Sequence, residues 1–182
     1  MKIKGTMIID HVRLIRANKD KDYGEYLTDE DWEIINGKVL PSNWYPYESF
    51  RRIAYASFMV IGQADPENAR TFGRFAMRNM VKVYKTLLVP GDPVASVEKL
   101  AALRRTFYDG DIGTQLKEKG ENWLIYEIKA PKEETDRKRW EAYTWHLSGN
   151  LEELVEQSGG KDVQSSRDFK GETAEIKVAW KQ

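Results

Sequence analysis

Near residue 110 the hydrophobic period of the chain changes, and that switch constrains the fold more than any other feature. Up to "FYDGDIG" (107–113) apolar residues recur at helical spacing; beyond it they alternate as in strands, return to helical spacing, and alternate again. Helices, hairpin, helix, hairpin is the order of an α+β fold. The reading is an antiparallel sheet of about four strands in two hairpins, packed with a helical N-terminal half and with a long helix between the hairpins.

Local signals place the elements. Met7, Ile8, Val12 and Ile15 predict an opening helix that reaches Asn18. Thr28 can cap "DEDWEIIN", with Asp31 at the third helical position as a partial capping box. In "VLPSNWYPYESF" (39–50), Pro41 keeps Leu40 out of helical conformation and Pro46 suits a first turn, so a helix is expected to run to Ile61 and stop at Gly62. Asp65-Pro66 opens the strongest helix, with Ala69, Phe72, Gly73, Ala76, Met80, Val83 and Leu87 on one face. Asp92-Pro93 opens another, through Val97, Leu100, Leu103 and Phe107. Segments 112–118 and 122–130 read as a hairpin about "KGE", and Trp140, Tyr143, Leu147, Leu151 and Leu154 mark the inner face of the long helix. A last hairpin turns at Lys170-Gly171.

With 182 residues the chain is expected to form one domain, 1–182, mainly helical over 1–109 and hairpin-helix-hairpin over 110–182. Lys plus Arg equals Asp plus Glu at 29 each, so no overall field draws it to nucleic acid. No apolar run approaches the ~20 residues of a membrane span, and Asp10 and His11 interrupt the one short apolar patch at the N-terminus, so no leader is read and a cytoplasmic protein is expected. The absence of cysteine excludes disulfides, thiolate zinc sites and cysteine nucleophiles.

No catalytic or metal signature is complete. The histidines, His11 and His146, have no second ligand at metal spacing; a haem needs only one, but a lone histidine on an apolar helix face reads first as a core or boundary residue. No serine sits in a nucleophile elbow, and the glycines in "GQAD", "PGDP" and "SGGKD" lack phosphate-loop spacing. Glu133-Glu134 and Glu152-Glu153 are adjacent pairs that suit solvation better than shared acid-base work. Arg70, Arg74, Arg78 and Lys82 recur every four residues, with Lys85 following, and make a slanted basic stripe that is either an interaction surface or a face paired with acids elsewhere in the fold. Twenty-one aromatics are concentrated in a few segments, as in a ligand pocket or a core.

The order of parts, with "VLPSNWYPYESFRRI", "ADPENARTFGRFAMRN", "VYKTLL", "FYDGDIG" and "RDFKGETAEIKVAW", resembles a bacterial family of small proteins related to the 4-vinyl reductase domain. That superfamily is similar in fold to vesicle-tethering TRAPP subunits and to haem nitric-oxide-binding domains. The resemblance implies a ligand-binding scaffold, often dimeric, with an apolar cavity lined here by Trp44, Tyr45, Phe72, Phe75, Met80, Tyr84, Phe107 and Tyr108. Ala174 stands where many relatives carry a cysteine, and the tyrosine-serine-arginine signature of the haem branch is not found, so neither zinc nor haem is expected as a cofactor. The function expected is a non-enzymatic binding or sensing module for a small hydrophobic ligand in bacterial signalling. The alternative is a dimeric interaction adaptor with a filled core and the basic stripe as its contact; an enzyme acting on tetrapyrroles has no residue in its favour.

Overall fold

The structure, a computed structural model, describes every residue except Lys132 and Glu133, so the Glu133-Glu134 pair falls outside the described residues. The chain forms two compact units, Met1–Asn68 with Thr106–Asp111, and Ala69–Arg105 with Ile112–Gln182.

The first unit is built on a small sheet and three helices. Strand β1 (Lys2–Lys4) pairs antiparallel with β2 (Trp44–Pro46), setting Ile3 opposite Tyr45, and Ile3 also bridges to Tyr108. Strands this short carry no period, which is why alternation did not reveal them. Helix α1 (Gly5–Arg16) follows β1 directly and buries Ile8, Val12 and Ile15, each worth roughly 1.5–3 kcal/mol of apolar burial. A side chain at Gly5 would collide with the Leu40 carbonyl and the Tyr45 ring, so the start of α1 lies against the bend that precedes β2.

Helix α2 (Asp29–Asn36) has the full capping box: the Thr28 hydroxyl accepts from the Asp31 N–H, and Asp31 accepts from the Thr28 N–H. Helix α3 (Tyr47–Ala56) is shorter than the periodicity predicts. Its continuation, Ser57–Ile61, is a π-helical turn in which Gly62 N–H bonds back to Ser57. Gln63 and Ala64 then take left-handed φ of 54° and 56°, ending the helix more sharply than Gly62 alone would require.

The second unit holds helix α4 (Pro66–Val83, whose first turn belongs to the first unit), α5 (Pro93–Arg105), the long α6 (Arg137–Gln157) and four strands, β3 (Thr114–Lys119), β4 (Trp123–Lys129), β5 (Lys161–Lys170) and β6 (Thr173–Lys181). The sheet is antiparallel with order β3-β4-β6-β5, as expected of two hairpins separated by a helix. Leu124, Tyr126 and Ile128 stand opposite Val178, Ile176 and Ala174, and all six are fully buried on the face that α5 and α6 cover.

Helices α4 and α6 approach backbone to backbone. A side chain at Gly73 would strike the His146 carbonyl, and one at Gly149 would strike the Arg70 carbonyl. Small residues at the crossing permit that distance, and the flanking side chains then meet as ion pairs.

Candidate functional site

Two strands and two helices of the first unit bring an aromatic row together. Tyr108, held by its bridge to Ile3, meets Tyr47 edge-on at 6.0 Å; Tyr47 lies 6.0 Å from Phe50; Phe50 meets the His11 ring edge-on at 6.1 Å. Tyr47 and Phe50 share a face because they are three residues apart in the first turn of α3. The Arg51 guanidinium stands 5.9 Å from the Tyr47 ring centre and pairs with Glu48 at 2.6 Å.

His11 ends the row. Burial lowers its pKa to about 4, outweighing the attraction of neighbouring Asp10. The imidazole is therefore neutral at ordinary pH. Sequence reading gave His11 little weight because its relation to Phe50 comes from the packing of α1 on α3, which no spacing along the chain encodes.

The eight aromatic and methionine candidates divide between the two units. In the first, Phe107 and Tyr108 are buried, Tyr45 is half-buried with its hydroxyl accepting from the Leu40 N–H at 2.9 Å, and Trp44 is 43 % exposed under the Lys4 ammonium, 4.1 Å from the ring. In the second, Met80 is buried, Phe72 and Tyr84 are half-buried, and Phe75 is 57 % exposed. Of the eight, Tyr108 belongs to the row that reaches His11.

The basic stripe meets carboxylates. Arg70 pairs with Glu152 at 2.7 Å, Arg74 with Glu156 at 2.5 Å and with Glu152 at 3.5 Å, and Arg78 with Glu153 at 2.7 Å. Three of the five stripe residues are thus engaged within the unit, whereas Lys82 and Lys85 lie exposed. The solvated reading of Glu152-Glu153 is corrected: Glu152 is fully buried and also accepts from the Ser165 hydroxyl at 2.5 Å, and Glu153 is 4 % exposed. Burial pushes the Glu153 carboxyl up, but hydrogen bonds from Arg78 and Gln157 and the charges of Arg78 and Arg74 hold it below the usual carboxylate range.

The interior of the second unit carries polar groups of another kind. The Tyr126 hydroxyl, Trp140 Nε1 and Thr114 Oγ1 are buried with no hydrogen-bond partner among the described residues. Thr114 stands opposite Ile128, which puts Tyr126 on the same sheet face one diagonal away. Arg104, 2 % exposed, donates to the Tyr143 hydroxyl at 2.7 Å, and Tyr143 stacks on Trp140 at 5.8 Å. A surface groove of about 400 Å³ between α5 and β3 is floored by Ala101, Ala102 and Leu116. It is bridged by the Lys119–Glu98 pair at 2.5 Å, and its charged rim does not suit an apolar guest.

No family model and no curated protein matches the sequence. Solved structures do match the fold. An Fe(II) unliganded H-NOX protein from K. algicida superposes with a TM-score of 0.63 at 14% identity, over 99% of this chain and 97% of that one. A point mutant of the T. tengcongensis H-NOX gives 0.63 at 17% identity, over 99% and 98%. A structure from a study of haem distortion in the H-NOX family gives 0.62 at 16% identity, over 99% and 96%.

This likeness overturns the expectation that haem is not a cofactor: the missing tyrosine-serine-arginine signature does not remove haem from the guests to be considered, because structures that share the fold come from studies of haem distortion and haem redox potential. The side chains present fit such a group in kind. Each unit offers an imidazole, His11 and His146, and the second unit offers buried donors at Tyr126, Trp140 and Arg104, of the sort a carboxylate edge takes. Among the described residues no three His, Asp or Glu side chains gather as a metal cluster, and no helix is long and apolar enough to cross a membrane. The fold is the H-NOX fold.

Proposed function

We propose that the protein is a non-enzymatic sensing module whose guest is a small apolar molecule, with haem the first guest to test. The observation that carries this reading is the aromatic row Tyr108–Tyr47–Phe50 ending on a neutral histidine. Apolar faces hold a flat or apolar guest through burial, and one polar group fixes its orientation; a row of three rings with a single imidazole at its end has that composition.

In this reading His11 is the orienting group. It stays uncharged down to about pH 4, so it accepts a hydrogen bond or ligates without first losing a proton. A bound haem would supply an iron able to take a diatomic gas. Kinship with the 4-vinyl reductase-related family, and a role in bacterial signalling, belong to the same proposal and are supported by the order of parts and by the shared fold.

Native mass spectrometry of the protein purified without denaturation tests the reading. A retained mass that disappears on unfolding is expected, and it should be reduced in His11→Leu. Bare polypeptide mass, together with no uptake of added haemin or of an apolar dye, would defeat it and favour the adaptor reading.

A further inference from the structure

The four-stranded sheet treats its two edges differently. Edge strand β3 has six residues, a bulge between Leu116 and Glu118 in mid-strand, and lysines at 117 and 119, one of them tied to Glu98 on α5. Bulges and lysines are what guard an edge against pairing, because they twist the backbone away and bring charge to it. Edge strand β5 has ten residues and is in unbroken register with β6 from Gln164 to Lys170. Its one irregularity lies at the start, at Asp162. The side chains in its middle that face away from α6 are Gln164 and Ser166, small or neutral and exposed. Among the described residues, no bulge and no outward-facing charge in the middle of β5 guards that edge.

We infer that the free edge of β5 pairs antiparallel with β5 of a second copy, on a two-fold axis at Ser165, joining the two sheets into one. A strand pairing with its own copy around a perpendicular two-fold must place residues of the same face opposite each other. The ladder positions satisfy this in one register that also matches charge. Lys161 pairs with Lys181 and Asp168 with Glu175, so counted along β6 each lies three steps from Ser165, which pairs with Val178. An axis at Ser165 therefore sets Lys161 against the partner's Asp168, and Asp168 against the partner's Lys161. Gln164 and Ser166 come opposite each other between them.

The charges within one copy leave these two residues available. Lys161 stands opposite the like-charged Lys181, and Asp168 opposite the like-charged Glu175. The Lys170 ammonium lies 2.8 Å from Glu175 but 3.7 Å from Asp168, and the Asp168 side chain is 69% exposed. Pairing across the axis gives each an opposite charge at cross-strand distance. The partner is accordingly a second copy of this chain, and the inference is independent of which guest, if any, the first unit takes.

Charge reversal tests this without threatening the fold, because each substitution removes a like-charge pair inside the monomer. The wild-type chain is expected to sediment as a dimer at submillimolar concentration. Asp168→Lys puts a lysine against the partner's Lys161 at both ends of the axis and should weaken dimerisation roughly tenfold or more. The double variant Lys161→Asp with Asp168→Lys should restore it. A wild-type monomer overturns the inference, including the case in which β5 takes a strand of another protein instead. A dimer indifferent to Asp168→Lys, or one that the double variant fails to restore, overturns it equally.

Discussion

The Arg52 guanidinium holds the Asp31 carboxylate through two hydrogen bonds of 2.7 and 2.9 Å, while the same carboxylate closes the cap of α2 on Thr28. One fully buried side chain thus joins α2 to α3 and ends a helix at the same time. Burial pushes its pKa up, but the bonds from Arg52, from the Thr28 backbone and from the Ser49 and Thr28 hydroxyls outweigh that and keep it below the ordinary value. Asp31→Asn keeps the shape and removes the charge that Arg52 faces; it should cost about 1–3 kcal/mol in urea unfolding, and a loss under ~0.5 kcal/mol would show the pair to be ornamental.

The sign of the pH effect follows. Because the folded pKa of Asp31 lies below that of the unfolded chain, its stabilisation is fully present above the ordinary carboxylate range and is lost as pH falls through the folded value. Glu153 acts in the same direction. Acid unfolding should therefore be shallower in Asp31→Asn than in the wild type, followed by circular dichroism below pH 5 or so.

His11 works in a higher window. Its folded pKa of about 4 lies below the ordinary histidine value of 6.5, so in between the unfolded chain takes up a proton that the folded chain refuses. Stability should fall as pH drops from about 6.5 to about 4, by on the order of 1–3 kcal/mol. His11→Phe should flatten that stretch of the stability–pH curve; an unchanged slope would mean the ring is solvated.

The α4–α6 crossing has no room for a methyl group. Gly73→Ala and Gly149→Ala each drive a side chain into a carbonyl of the facing helix, and separating the helices also stretches the Arg70–Glu152 and Arg78–Glu153 pairs. Although alanine favours a helix by ~1 kcal/mol over glycine, each substitution should lower the thermal midpoint, with overpacking costing about 1–3 kcal/mol. A raised midpoint would refute the close approach.

Elements with a period or a cap were legible in the sequence, and those made by contact were not. Thr28 and Asp31 announced α2, and alternation announced β4 and β6, since both signals are local. β1 and β2 are three residues each, and the π turn at Ser57–Ile61 looks like ordinary helix in its apolar spacing, so neither could be read. In "VLPSNWYPYESF" the bend was foreseen, yet its strand was not, and the aromatics of that stretch that lead from Tyr108 to His11 are Tyr47 and Phe50, not Trp44. The acid partners of Arg70, Arg74 and Arg78 lie some 75–82 residues away in sequence, beyond any local pattern.

The most direct test of guest binding at His11 is a haemin titration of the purified chain, followed by its near-ultraviolet Soret absorption. The account predicts a saturable, shifted Soret band in the wild type that is weakened or displaced in His11→Leu, while His146→Leu serves as the control for the other imidazole. A spectrum indistinguishable from free haemin, or a saturable band that His11→Leu leaves untouched, would contradict it.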